Sequence, residues 1–155
     1  MNNMKKEPKE QDSKEIIYID ANCFIYASLD KERIGKNARE VLEKVRTGFY
    51  KKAYTSTLTI DEFIWRIQKE VGRELASEGA EIFFSLENMN LINIDSQVIH
   101  LAIEIYKNKK LDPRDAIHLA AMQSKNIKVI ISSDPDFDKI ENIKRIDFGK
   151  SNNYL

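Results

Sequence analysis

Ile16-Ile17-Tyr18-Ile19-Asp20-Ala21-Asn22 is the stretch whose reading decides the fold of this chain. It is a short apolar run, rich in β-branched residues, that ends on a carboxylate. With no polar alternation, such a run reads as a strand buried on both faces, as at the centre of a parallel sheet. Asp20 stands where that strand stops. In open α/β sheets, ligands bind in the crevice outside the carboxyl ends of the strands, which makes Asp20 a functional candidate from its position alone.

Outward from this strand, the pattern alternates. Ala21 to Leu29 reads as a short helix, and Ala38, Val41, Leu42 and Val45 form an amphipathic stripe ending near Gly48. Lys52 to Thr55 is a short strand. Ile60, Phe63, Ile64, Ile67 and Val71 mark a helix that stops near Gly72, followed by one carrying Leu75, Gly79, Ile82, Phe83 and Leu86. Leu91 to Ile94 reads as a strand, Asp95 or Ser96 as the cap of a helix with Val98, Leu101, Ala102 and Ile105, and Lys107 to Lys110 as a basic loop. In Leu111-Asp112-Pro113-Arg114-Asp115-Ala116-Ile117-His118, Asp112 takes the N-cap position, Pro113 the first helical one, and Asp115 the first turn. Lys128 to Ile131 is a clear strand running into Ser132-Ser133-Asp134-Pro135-Asp136, and Lys144 to Phe148 is a weaker last one. Strands alternating with helices predict right-handed crossovers and a mainly parallel sheet with helices on both faces, a three-layer α/β/α domain over residues 16–150.

Composition sets the bounds. At 155 residues and 42% hydrophobic content the chain suits one domain, with a polar tail over Met1 to Glu15 and a short one over 151–155. Its 25 basic and 25 acidic residues cancel, so any polyanion must be held by a local patch. The single cysteine, Cys23, excludes an internal disulfide and fits a reducing cytoplasm. No run approaches the roughly 18 apolar residues of a membrane helix, and the N-terminus is polar where a signal peptide needs an apolar centre.

Four acids share one kind of place. Asp20 and Asp134 follow strands, Glu62 lies early in a helix after a strand, and Asp115 sits in a helix's first turn. A parallel sheet brings all four to the same edge. Converging carboxylates repel one another, and a hard divalent cation, Mg²⁺ or Mn²⁺, gives a reason to gather them. Such a site activates water and stabilises a phosphodiester under attack, without a covalent intermediate. Taken singly, each acid also has a plainer reading. Asp115 can complete a capping pair with Asp112, Asp134 can cap a turn, and Glu62 falls on the side of its helix away from the apolar stripe. Asp20 has no comparable capping role, and the joint placement outweighs any single residue.

Four segments together resemble the PIN-domain proteins of the VapC toxin type: Ile19-Asp20-Ala21-Asn22, Thr59-Ile60-Asp61-Glu62, Asp115-Ala116-Ile117-His118-Leu119-Ala120 and Ser132-Ser133-Asp134-Pro135-Asp136-Phe137. The resemblance spans Ile16 to Phe148. It implies a Mg²⁺- or Mn²⁺-dependent endoribonuclease, usually a homodimer inhibited by a cognate antitoxin. It also implies that Asp20, Glu62, Asp115 and Asp134 are the catalytic, metal-binding quartet, with Asp136 as a substitute for the fourth. Asn22 matches a supporting polar residue, and Ser132 stands where many members carry Thr.

Lys107, Lys109, Lys110 and Arg114 are candidate RNA phosphate contacts, against the plain reading of a solvated loop. His118 reads as a packed or wall histidine, Trp65 as an interface residue with base stacking as the sharper alternative, and Cys23 as core. Phe24, Ile25, Tyr26, Phe83 and Phe84 exceed one sheet's needs and are candidates for dimer or antitoxin contacts. Two other function classes stand beside the nuclease. One is a non-catalytic RNA- or protein-binding module. The other is a phosphatase-like phosphoryl hydrolase, against which Asn22 counts because it occupies the place of that chemistry's second Asp.

Overall fold

The computed structural model describes residues 15–150; the two expected tails lie outside the described residues except for Glu15. The elements are β1 (Ile16–Ile19), α1 (Ala21–Leu29), α2 (Arg33–Arg46), β2 (Lys52–Ser56), α3 (Thr57–Val71) and α4 (Arg73–Glu81), then β3 (Met89–Ile92), α5 (Ser96–Asn108), α6 (Pro113–Ser124), β4 (Val129–Ile131) and β5 (Lys144–Ile146). Single 3-10 turns at Ile82–Ser85 and Pro135–Lys139 complete the path. The sheet has the order β3-β2-β1-β4-β5, and all four pairings are parallel. β1 is therefore the central strand, as its uninterrupted apolar run requires, and Ile17, Tyr18 and Ile19 are fully buried.

The pleat divides β1 between two cores. Ile17 and Ile19 pack with Val129 and Ile131 under α1 to α4, whereas Tyr18 and Ile130 face α5 and α6. The expected three layers are thus present. From β1 the chain moves outward on one side to β2 and β3, then returns to build β4 and β5 on the other. That reversal opens a crevice beyond the carboxyl ends of β1 and β4, the position where α/β sheets bind their ligands. Asp20 closes its floor: its backbone N–H donates to the Ile131 carbonyl at 3.1 Å, holding the two strand ends together.

Several local readings shift. The helix expected through Leu86 ends at Glu81 and tightens into the turn Ile82–Ser85; Phe83 is buried, while Leu75 and Ile82 are exposed and Phe84 is 75% exposed. The chain passes from α3 to α4 through Gly72 at φ 92°, a conformation that side chains with a Cβ disfavour. A Cβ on Gly79 would lie 3.0 Å from the Phe63 ring, so glycine sets how closely α4 lies on α3. The third strand starts two residues earlier than its Leu91 to Ile94 reading, at Met89. Lys107 belongs to the last turn of α5 rather than to a loop. Among the described residues, no helix is long and apolar enough to cross a membrane.

Candidate active site

Contrary to the reading that gave it no capping role, Asp20 is the N-cap of α1 directly after β1, so one residue terminates the strand, starts the helix and presents its carboxylate to the crevice. Oδ1 accepts from the Ala21 N–H at 2.7 Å, and Oδ2 accepts from the Ser132 hydroxyl at 2.6 Å. Ser132 follows β4 and acts as a hub. Its Oγ also accepts from Asn22 Nδ2 at 3.0 Å and from the Asp134 N–H at 3.0 Å. The residues expected to support Asp20, Asn22 and Ser132, thus bind each other, and they tie Asp20 to the loop that carries Asp134.

Glu62 departs from its pattern reading. It occupies the second turn of α3, and its side chain is only 16% exposed, because Oε2 meets His118 Nε2 at 2.7 Å across the sheet edge. The apolar stripe misleads here. Ile64 and Val71, two of the residues that defined it, are exposed, whereas Thr59, Phe63 and Ile67 face the core. Glu62 was placed by its partner on α6, which helical periodicity within α3 does not register.

His118 is the site residue that sequence reasoning undervalued. It is 1% exposed, a wall histidine as expected, but it also joins the acids. Nε2 lies 2.7 Å from Glu62 and 3.4 Å from Asp20, while Nδ1 meets the Tyr18 hydroxyl at 2.6 Å, which in turn donates to Ser56 Oγ at 2.8 Å. Burial alone would pull the imidazole's pKa down, but Tyr18, the Glu62 hydrogen bond and the Asp20 charge outweigh it and hold the pKa well above its ordinary value. The ring therefore lies between two carboxylates that favour its protonated form. The available signal was its spacing: His118 follows Asp115 by three residues and shares its helix face.

Asp115 and Asp134 form the second group. One carboxylate oxygen each from Asp115, Asp134 and Asp136 lies within 4.8 Å of the others, and a similar set joins Asp20, Glu62 and His118. The capping alternative for Asp115 finds no support in side-chain geometry, since Asp112 occupies the N-cap position without a side-chain cap bond. Burial, then Asp134 and Asp20, raise the Asp115 carboxyl to about 7. Burial also raises Asp20, against the opposing pull of His118 and Ser132. Asp134 fulfils its plainer reading as well, with Oδ1 accepting from the Asp136 N–H at 2.9 Å.

These groups open into one cleft of about 460 Å³ lined by Asp20, Asn22, Glu62, Asp115 and Asp134. Asp136 does not line it; it pairs with Lys139 and borders a separate groove with Lys107, Lys109 and Lys110. Of the four expected phosphate contacts, only Arg114 lines the acid cleft, joined there by Arg66, which the sequence reading omitted. The lining holds six carboxylates against these two guanidiniums, so a polyanion entering it meets net repulsion unless cations intervene. The donor set fits a hard divalent cation: clustered carboxylate oxygens, one of them raised to about 7 by burial and by its acidic neighbours, and a hydroxyl and an amide in support. Cys23 is fully buried with its thiol pKa pushed up, as befits a core residue.

The sequence model of the PIN domain family matches residues 17–143. Comparison with curated proteins by sequence gives no match. Among solved structures, the chain is similar to VapC20 of Mycobacterium tuberculosis, described as a sarcin-ricin loop cleaving toxin, with TM-score 0.67 and 17% identity over 79% of this chain and 93% of that one. It is similar to DNA-bound VapBC from Salmonella typhimurium, with TM-score 0.65 and 19% identity over 86% and 98%. It also resembles FitAcB from Neisseria gonorrhoeae, with TM-score 0.64 and 12% identity over 86% and 98%.

Proposed function

The chain belongs to the PIN domain family, and from that premise we propose that it is a Mg²⁺- or Mn²⁺-dependent endoribonuclease, the toxin of a toxin–antitoxin pair. The observation that carries the reading is the convergence of Asp20, Glu62, Asp115 and Asp134 on one cleft at the point where the strand order reverses. Asp20, Asp115 and Asp134 would hold the metal, with Glu62 beside them. When bound, a divalent ion supplies an activated water and stabilises the charge that develops on a phosphodiester.

The chain's own residues supply the rest. Ser132 and the Ala21 amide fix both oxygens of Asp20, so the carboxylate is oriented before any ligand arrives. His118 holds Glu62 and Asp20 on one side and leaves Asp115 and Asp134 without an ion-pair partner among the described residues. Arg114, 3.9 Å from Glu62, stands at the cleft wall, where a guanidinium can hold a substrate phosphate. Asp134, not Asp136, is the fourth acid, because it is the one that faces the cleft.

A cognate antitoxin, a homodimer and a cytoplasmic location complete the proposal. The similar VapBC structures, and one from Klebsiella pneumoniae described as a toxin–antitoxin complex, support the first, and exposed Leu75, Ile82 and Phe84 offer apolar surface for protein contacts. Cleavage of a single-stranded RNA by the purified chain tests the activity. Products are expected with Mg²⁺ or Mn²⁺, and none with EDTA or with Asp20→Asn; equal cleavage under all four conditions ends the nuclease reading.

A further inference from the structure

Trp65 belongs to neither core. Its neighbours on α3, Phe63 and Ile67, are buried, but Trp65 is 45% exposed and lines the acid cleft. Across from it, α1 contributes Ile25, Tyr26 and Leu29 to the same cleft. A site that held only a metal would need no such apolar wall. Cations also attend the indole: Lys69 Nζ lies 3.2 Å from the ring centroid and the Arg114 guanidinium 5.6 Å from it. Arg114 is at the same time 3.9 Å from the Glu62 carboxylate. A single guanidinium therefore separates the aromatic ring from the acids.

This juxtaposition matches the two halves of a nucleotide. A phosphate belongs beside the acids with their metal and Arg114, and a flat base belongs on the indole. We propose that Trp65 is the stacking platform for an unpaired base adjacent to the scissile phosphate, with Arg114 as the link between base and phosphate sites. The scissile bond in this statement rests on the nuclease reading; the stacking does not. The base displaces the Lys69 ammonium from the ring face and keeps it as a phosphate neighbour. Because a paired base has both faces covered within the duplex, the site selects single-stranded or looped RNA. Stacking is tolerant of base identity, so Trp65 selects strandedness more than sequence.

Trp65 is the chain's only tryptophan, so its fluorescence reports on this site alone. The full chain is titrated in Ca²⁺ with a labelled mixed-sequence single-stranded oligoribonucleotide, its abasic counterpart and a duplex, following indole emission and label anisotropy together. Expected is saturable quenching by the single strand and little by the other two. Trp65→Ala is expected to raise KM for single-stranded RNA about 5- to 150-fold with kcat little changed, and Trp65→Phe to restore most of it. Unchanged emission at saturating anisotropy overturns the proposal and leaves the indole to a protein partner. Equal quenching by the abasic strand, or no binding at all, overturns it as well. Base-dependent quenching without any metal-dependent cleavage would sustain the stacking and remove only the nuclease reading.

Discussion

The acid cluster has two halves that the fold treats differently. In the inner half, Asp20 and Glu62 share the buried His118 ring, braced from behind by Tyr18 and Ser56, and Arg114 stands close to Glu62. In the outer half, Asp115 and Asp134 approach each other with no ion-pair partner among the described residues, and Lys139 pairs with the neighbouring Asp136. The inner half carries its own partner in His118, and the outer half has none among the described residues. Charge left uncompensated in a folded protein is costly, so it marks where a ligand is expected to supply the balance.

Substitutions break the two halves in opposite ways. Asp20→Asn, which touches both, should cost more activity than the roughly 100-fold typical of losing a residue that only orients a ligand, read as kcat/KM on single-stranded RNA. Ser132→Ala removes only an orienting hydroxyl and should fall within about 10- to 100-fold. His118→Ala takes the shared partner from buried Asp20 and partly buried Glu62 and should destabilise the metal-free fold by about 3–5 kcal/mol in urea melts. Asp115→Asn should do the reverse at neutral pH, raising the melting temperature of metal-free protein while weakening Mn²⁺ binding.

Proton linkage sharpens the contrast. Between the unfolded carboxyl value of about 3.9 and the folded value of about 7, the folded chain holds more protons on Asp115 than the unfolded chain does, so this residue makes stability fall as pH rises through that window. His118 has a raised folded value too. As a base its contribution is fully present below about pH 6.5 and is lost only as pH climbs through the higher folded value. In metal-free protein, Asp115→Asn should therefore flatten the decline in melting temperature between pH 4 and 7, and Mn²⁺ binding should strengthen over the same interval with proton release. The smallest effect is expected from Asp136→Asn or from neutralising Lys107, Lys109 and Lys110, each within a few-fold in kcat/KM; a loss on Asp136→Asn equal to that on Asp134→Asn would reassign the fourth acid.

What was legible in sequence was whatever local chemistry determines. The buried run Ile16 to Ile19, the helix Ala21 to Leu29 and the Asp112-Pro113 start of α6 all follow from neighbours in the chain. Asp20, Asp115 and Asp134 were legible because strand ends and first helical turns fall at a known edge of a parallel sheet. Glu62 was not legible by pattern, since its burial depends on His118, 56 residues away. His118 was set aside because an isolated histidine gives no sign of the two carboxylates the fold brings to it. Trp65 reads from sequence as an interface residue with base stacking as the sharper alternative, and only the folded cleft sets carboxylates and cations around it.

The most direct measurement is anomalous diffraction from crystals soaked in Mn²⁺. A manganese peak bounded by Asp20, Asp115 and Asp134, with His118 still hydrogen-bonded to Glu62, is the expected result. No peak in the cleft, or a peak between Glu62 and a displaced His118, would contradict the division of the cluster into a half with its own partner and a half without one.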